Sequence, residues 1–158
     1  MNIEYKTGDL FSDARLSDST SLIILPHVCN DLGAMGAGFV VPLCKRWPQV
    51  KTRYVNHCLY NSKMCIPKLG TVHWVWVEDN VYIANMIAQH GIGFDEKPIR
   101  YAALVKCMEE VANFAQKTRQ IIAPKFGAGL AGGNWSFIEE LIDEIWVAKN
   151  ISVTIWSL

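Results

Sequence analysis

The sequence predicts an α/β fold in three layers, a mixed six-stranded sheet covered by helices on both faces. Strand-like and helix-like segments alternate along the chain, and ten of its eleven glycines are expected on one rim of the sheet. Alternation requires crossovers, which lay helices on both faces of a mainly parallel sheet. There is no internal repeat, low-complexity tract or linker rich in Pro, Gly and Ser, so residues 1–158 are expected to form a single domain. A chain of 158 residues with 51% hydrophobic content can bury one core and not two.

The first strand is read at 2–6 (NIEYK) and the second at 21–28 (SLIILPHV), both β-rich. Residues 71–77 (TVHWVWV) and 81–88 (VYIANMIA) read as two more strands around the turn EDN. The apolar runs 120–124 (QIIAP) and 151–156 (ISVTIW) complete the six. Helical spacing of apolar residues marks 38–47, 97–117 and 134–149, and His57 also falls in a segment read as helix. In the middle helix Ile99, Leu104, Val105, Met108, Val111, Ala112 and Ala115 form one stripe. In the last, Asn134 stands at the N-cap, acids follow in the early turns and Lys149 closes the end. Pro42 suits a first turn and Pro98 the start of its helix, where a missing N–H is tolerated.

Fifteen basic residues balance fifteen acidic ones, with no like-charged run to follow a phosphate backbone or an anionic membrane. Long nucleic acids and membranes are therefore not expected partners; the sequence names no protein partner. The start MNIEYKTGDL has no apolar signal core, and no apolar stretch approaches the ~20 residues of a membrane span, so a cytoplasmic location is expected. Cys29, Cys44, Cys58, Cys65 and Cys107 are odd in number and lack a C-x-x-C pair. That argues against a disulfide framework and a zinc ribbon, and reads as reduced structural thiols. No metal site and no cofactor are expected.

The glycines carry the functional signal. Gly8 follows the first strand; Gly33, Gly36 and Gly38 the second; Gly91 and Gly93 the fourth; Gly127, Gly129, Gly132 and Gly133 the fifth. In open α/β sheets ligands bind beyond the carboxyl ends of the strands. A glycine loop running into a helix start presents unpaired amides and a positive dipole end, an anion site needing no Lys or Arg. The stretch GAGLAG (127–132) matches G-x-G-x-x-G, but only one strand follows it, ISVTIWSL, with no acid at its end for a ribose. That context fails a dinucleotide-binding domain, and no G-x-x-x-x-G-K-[ST] exists.

Three motifs in this order, YKTGDLFS (5–12), HVCNDLGAMGAGF (27–39) and PKFGAGLAGGNW (124–135), resemble the macrodomain family, which binds ADP-ribose. The likeness covers essentially the whole chain. Through H-x-C-N, M-G-A-G and KRWPQVKTRYVNHC (45–58) it is closest to yeast-type ADP-ribose 1''-phosphate phosphatases and terminal ADP-ribose glycohydrolases. The resemblance implies that Asp9 accepts a hydrogen bond from the adenine amino group and that Leu10 supplies a backbone contact. Met35, Gly36, Ala37 and Gly38 match the first diphosphate and ribose loop; Gly127, Ala128, Gly129, Leu130, Ala131, Gly132, Gly133 and Asn134 match the second. Asn30 matches the asparagine that reaches the distal ribose. The related glycohydrolases carry a lysine and an aspartate where this chain has Gln89 and Ala131, so that covalent mechanism is not expected here.

Of the four histidines, His57 and His73 read as structural. His27 and His90 sit at carboxyl ends of strands, where an imidazole can protonate a leaving oxygen or orient water near neutral pH. His27, Asn30 and His90, with Asp95, are the candidate catalytic residues. The expected activity is hydrolysis of ADP-ribose 1''-phosphate to ADP-ribose and phosphate. The alternatives are removal of ADP-ribose from modified macromolecules and non-catalytic binding of ADP-ribose or a related nucleotide.

Overall fold

The computed structural model describes residues 2–60, 68–91, 97–116 and 118–158. The strands are β1 (Glu4–Thr7), β2 (Ile23–Asn30), β3 (Val72–Glu78), β4 (Val81–Gln89), β5 (Gln120–Pro124) and β6 (Val153–Ser157). The helices are α1 (Val40–Arg46), α2 (Gln49–Tyr60), α3 (Tyr101–Ala115) and α4 (Trp135–Ile145). The strands form one sheet in the order β1-β6-β5-β2-β4-β3, parallel except for β3 against β4. This is the expected mixed six-stranded sheet, each strand lying within a few residues of its predicted segment.

Period-two alternation in the strands sends residues to two cores. On one face Ile24, Met86 and Ile121 pack with Leu104, Met108 and Val111 of α3 and Ile138 and Ile142 of α4. On the other Leu25, Val75, Ile83 and Ile87 meet Leu43 of α1 and Val50 and Tyr54 of α2. The layers are those of an α/β/α sandwich.

Three local differences have physical causes. The middle helix starts at Tyr101, later than its apolar spacing suggests, because the segment before it is held extended. Ile99 bridges Gln89, and the His90 amide donates to the Pro98 carbonyl at 2.8 Å. Residues 10–17, assigned to no element from the sequence, contain two 3-10 turns, Leu10–Ser12 and Ala14–Ser17. Their N-caps, Asp9 and Asp13, accept from the amides of Phe11 and Arg15 at 2.9 and 3.1 Å. Gly70, the glycine left off the rim, also lies on it. Because β3 runs antiparallel, its start meets the carboxyl end of β4, and the Gly70 amide donates to the Ile87 carbonyl at 2.8 Å. Gly93, Asp95 and Cys65 lie outside the described residues.

The sheet splits at its carboxyl rim. The Ile23 amide donates to Asn80 beside β4, and the Leu22 carbonyl accepts from Gln120 of β5. Strand alternation therefore aims the amides of residues 24 and 26 at β5. Position 26 is Pro26, with no N–H to give. Pairing of β2 with β5 covers only Ile23↔Gln120 and Ile24↔Ile121, whereas β2 stays with β4 as far as Asn30↔Gln89 and β5 stays with β6 as far as Pro124↔Trp156. Beyond Ile24 the two halves part, and a crevice opens between them.

Candidate functional site

A cavity of about 520 Å³ fills that crevice, within the size range of small-molecule sites. Its floor is the end of β2, where His27, Val28, Cys29 and Asn30 line it with Gln89 of β4. Its walls are two loops, one from Ala34 to Phe39 after β2, the other from Lys125 to Ala131 after β5. Leu130 closes the gap between them: a Cβ placed on Gly38 would stand 3.3 Å from its Cδ1. Phe39 lines the cavity and stacks on Phe11 with ring centroids 5.8 Å apart, offering a flat apolar face.

The loops expose backbone donors. Among the described residues, the amides of Gly36, Ala37, Gly38 and Phe39 on one loop, and of Gly127, Ala128, Gly129, Leu130 and Ala131 on the other, donate to no protein acceptor. Among the described residues Lys125 is the one charged side chain on the lining, and the exposed amide dipoles add to its positive field.

The glycines of these loops divide into two kinds. A side chain on Gly133 would collide with its own loop, its Cβ lying 2.4 Å from the Gly127 carbonyl oxygen. Gly36 and Gly129 have no such reason. Neither has a positive φ, and among the described residues a Cβ on either would meet nothing within 4 Å. Both line the cavity, so the space that a side chain would occupy there is open to a ligand.

The side chains on the floor are already engaged. His27 is buried, and its Nε2 lies 2.5 Å from Oδ1 of Asn85, which is itself fully buried and reaches Nδ1 of His73 at 3.2 Å. Burial holds the His27 imidazole down at about 4 despite the Asn85 bond, so it is neutral at pH 7. The ring can hydrogen-bond a ligand but carries no imidazolium proton to donate. Asn30 orders the first loop: its Oδ1 accepts from the amides of Leu32 and Ala34 at 3.0 and 3.1 Å, and its Nδ2 donates to the Ala34 carbonyl at 2.8 Å. Gln89 donates to the Gly91 carbonyl at 3.0 Å.

Of the residues singled out from the sequence, His27, Asn30, Met35, Gly36, Ala37, Gly38, Gln89, Gly127, Gly129, Leu130 and Ala131 come together around the cavity. Asp9, Leu10, His90, Ala128, Gly132, Gly133 and Asn134 stand outside its lining. Asp9 is exposed after β1, Leu10 is buried in the core, and Asn134 caps α4 by accepting from the Phe137 amide at 3.2 Å. Phe39 and Asp31 escaped the sequence reading. Each adjoins a residue it had singled out, Gly38 and Asn30, so adjacency was the available signal. Among the described residues no three His, Cys, Asp or Glu side chains converge as metal ligands, and no helix is long and apolar enough to cross a membrane.

The fold has solved counterparts. A macrodomain protein from Streptomyces coelicolor is 35% identical, with 98% of each chain covered and a TM-score of 0.79. This chain belongs to the macrodomain family. A protein of unknown function from Bacteroides thetaiotaomicron is 38% identical to this macrodomain over 100% of it and 99% of the other chain, with a TM-score of 0.88. Among characterised sequences, the human ADP-ribose glycohydrolase OARD1 is 26% identical over 99% of this macrodomain and 91% of its own length. No family model matches the chain.

Proposed function

We propose that this macrodomain binds ADP-ribose in the crevice and hydrolyses a bond at the 1'' carbon of the distal ribose, with ADP-ribose 1''-phosphate as the substrate. The observation that carries the reading is the pair Gly36 and Gly129, cavity-lining glycines whose missing side chains none of the described residues requires to be absent. The unpaired amides beside them suit a diphosphate, and Phe39 suits a base. The floor, with its neutral imidazole and amides, suits a sugar that is rich in hydroxyls. The glycohydrolase activity of a relative spanning the whole chain supports hydrolysis as the reaction class.

Gly129→Val tests the pocket. The added side chain enters open space in the protein, so the melting temperature should hold while ADP-ribose affinity falls roughly 10- to 100-fold. Calorimetric titration with ADP-ribose, with AMP as the control, measures it. Full affinity in a folded variant would remove ADP-ribose from the crevice. A second reading, binding without turnover, is favoured by one observation: the floor side chains are neutral or already committed to the fold. Phosphate release from ADP-ribose 1''-phosphate separates the two.

A further inference from the structure

One pair of side chains outside the cavity lining joins a buried carboxylate to an exposed imidazole. Asp31 follows Asn30 at the end of β2, and His90 follows Gln89 at the end of β4; Asn30 and Gln89 are themselves in register and line the cavity. The Asp31 carboxylate is buried, its side chain 7% exposed, while His90 is 61% exposed. Oδ2 of Asp31 lies 2.7 Å from Nδ1 of His90, and Oδ1 accepts from the Gly91 amide at 2.9 Å. The Asp31 amide donates to the Gln89 carbonyl at 2.9 Å and the His90 amide to Pro98 at 2.8 Å, so both backbones are fixed. A carboxylate bonded to Nδ1–H leaves Nε2 as the unprotonated nitrogen. Among the described residues that nitrogen has no partner.

We propose that His90 is the general base of this macrodomain and that Asp31 is the positioning residue that fixes its tautomer. The assignment rests on the hydrolase reading above, which places the distal ribose beside Asn30 and Gln89. Nε2 of His90 takes a proton from a water molecule. The water oxygen forms its bond to the anomeric carbon with the electron pair released. The bond from that carbon to the leaving phosphate oxygen breaks, its pair departing with phosphate, and the proton on Nε2 passes to solvent.

Asp31→Asn is the decisive variant. An asparagine keeps an oxygen for the Gly91 amide but donates to Nδ1, which moves the imidazole proton to Nε2 and removes the base. Phosphate release from ADP-ribose 1''-phosphate, across a pH series, and calorimetric ADP-ribose binding should be measured on the wild type, Asp31→Asn, His90→Gln and the double variant. Turnover should fall ~100-fold or more in each single variant, with the dissociation constant unchanged within about twofold. The double variant should be no slower than either single one, since the two act as a unit, and the acidic limb of the wild-type pH profile should vanish. If the wild type turns over and His90→Gln does so equally fast, the base assignment is overturned and the hydrolase reading stands. Parallel loss of affinity and turnover would make the pair a strap between strands and overturn the assignment. A wild type that binds ADP-ribose but releases no phosphate overturns both.

Discussion

His27 shows how burial changes the role of a residue. An imidazole that titrates near 6.5 in the unfolded chain and at about 4 in the folded one binds a proton only in the unfolded state between those values. Stability should therefore fall as pH drops from about 6.5 to about 4, by about 3 kcal/mol for His27 alone. Its neighbour His73, also lowered to about 4, chiefly by burial, acts in the same window and the same direction. His27→Gln retains a donor for Asn85 and should remove the His27 share of the slope. Urea unfolding at intervals between pH 7.5 and 4.5 checks this, and an unchanged slope would mean that the folded protein protonates His27 freely. The residue itself was legible in H-x-C-N. Its neutrality was not, because it comes from burial under elements distant in sequence, which outweighs the opposing bond to Asn85 of the neighbouring strand.

At the scale of the element, the segment between β1 and β2 is pinned to the sheet by one ion pair with several partners. Asp13 holds Arg15 through two bonds, Oδ1 to Nε at 3.0 Å and Oδ2 to Nη2 at 2.8 Å. Arg15 then reaches Gln120 of β5 at 2.8 Å and Thr154 of β6 at 3.2 Å, while the Trp156 indole donates to Asp13 at 3.2 Å. The Arg15 guanidinium draws the Asp13 carboxyl down to about 2. A depressed carboxyl contributes stability that is full above its unfolded value near 3.8 and is lost as pH falls from there toward 2. Asp13→Asn should lower stability at pH 7 by about 2 kcal/mol, and the gap to the wild type should narrow below pH 3.8. Chemical denaturation of both proteins at pH 7 and pH 3 would show it; a constant gap would mean that the pair adds nothing beyond packing. Gln120, Thr154 and Trp156 are far from Arg15 in sequence, so no local pattern signals this segment's attachment.

At the scale of the whole molecule, the crevice exists because the sheet divides between β2 and β5. Restoring a donor at the point of division should oppose it. Pro26→Val gives β2 the amide it lacks toward β5, and the variant should remain folded with ADP-ribose affinity reduced roughly tenfold as the halves draw together. Hydrogen exchange provides the second readout: the new amide at 26 should be protected in the free protein. Rapid exchange with undiminished affinity would show that the loops, and not the missing donor, hold the crevice open.

The sequence by itself determined the layers, the six strands and the placement of glycines on one rim, because hydrophobic period and turn chemistry are local properties that survive without knowledge of neighbours. It also marked Gly36 and Gly129, though not what sets them apart from Gly133: that distinction depends on what lies across the loop. Tertiary structure alone decided the rest. The split at Pro26 follows from which neighbour an amide faces, the neutrality of His27 from how deeply it is covered, and the pairing of Asp31 with His90 from the parallel register of β2 and β4. Each depends on contacts between residues tens of positions apart, and no local pattern in the chain encodes such a distance.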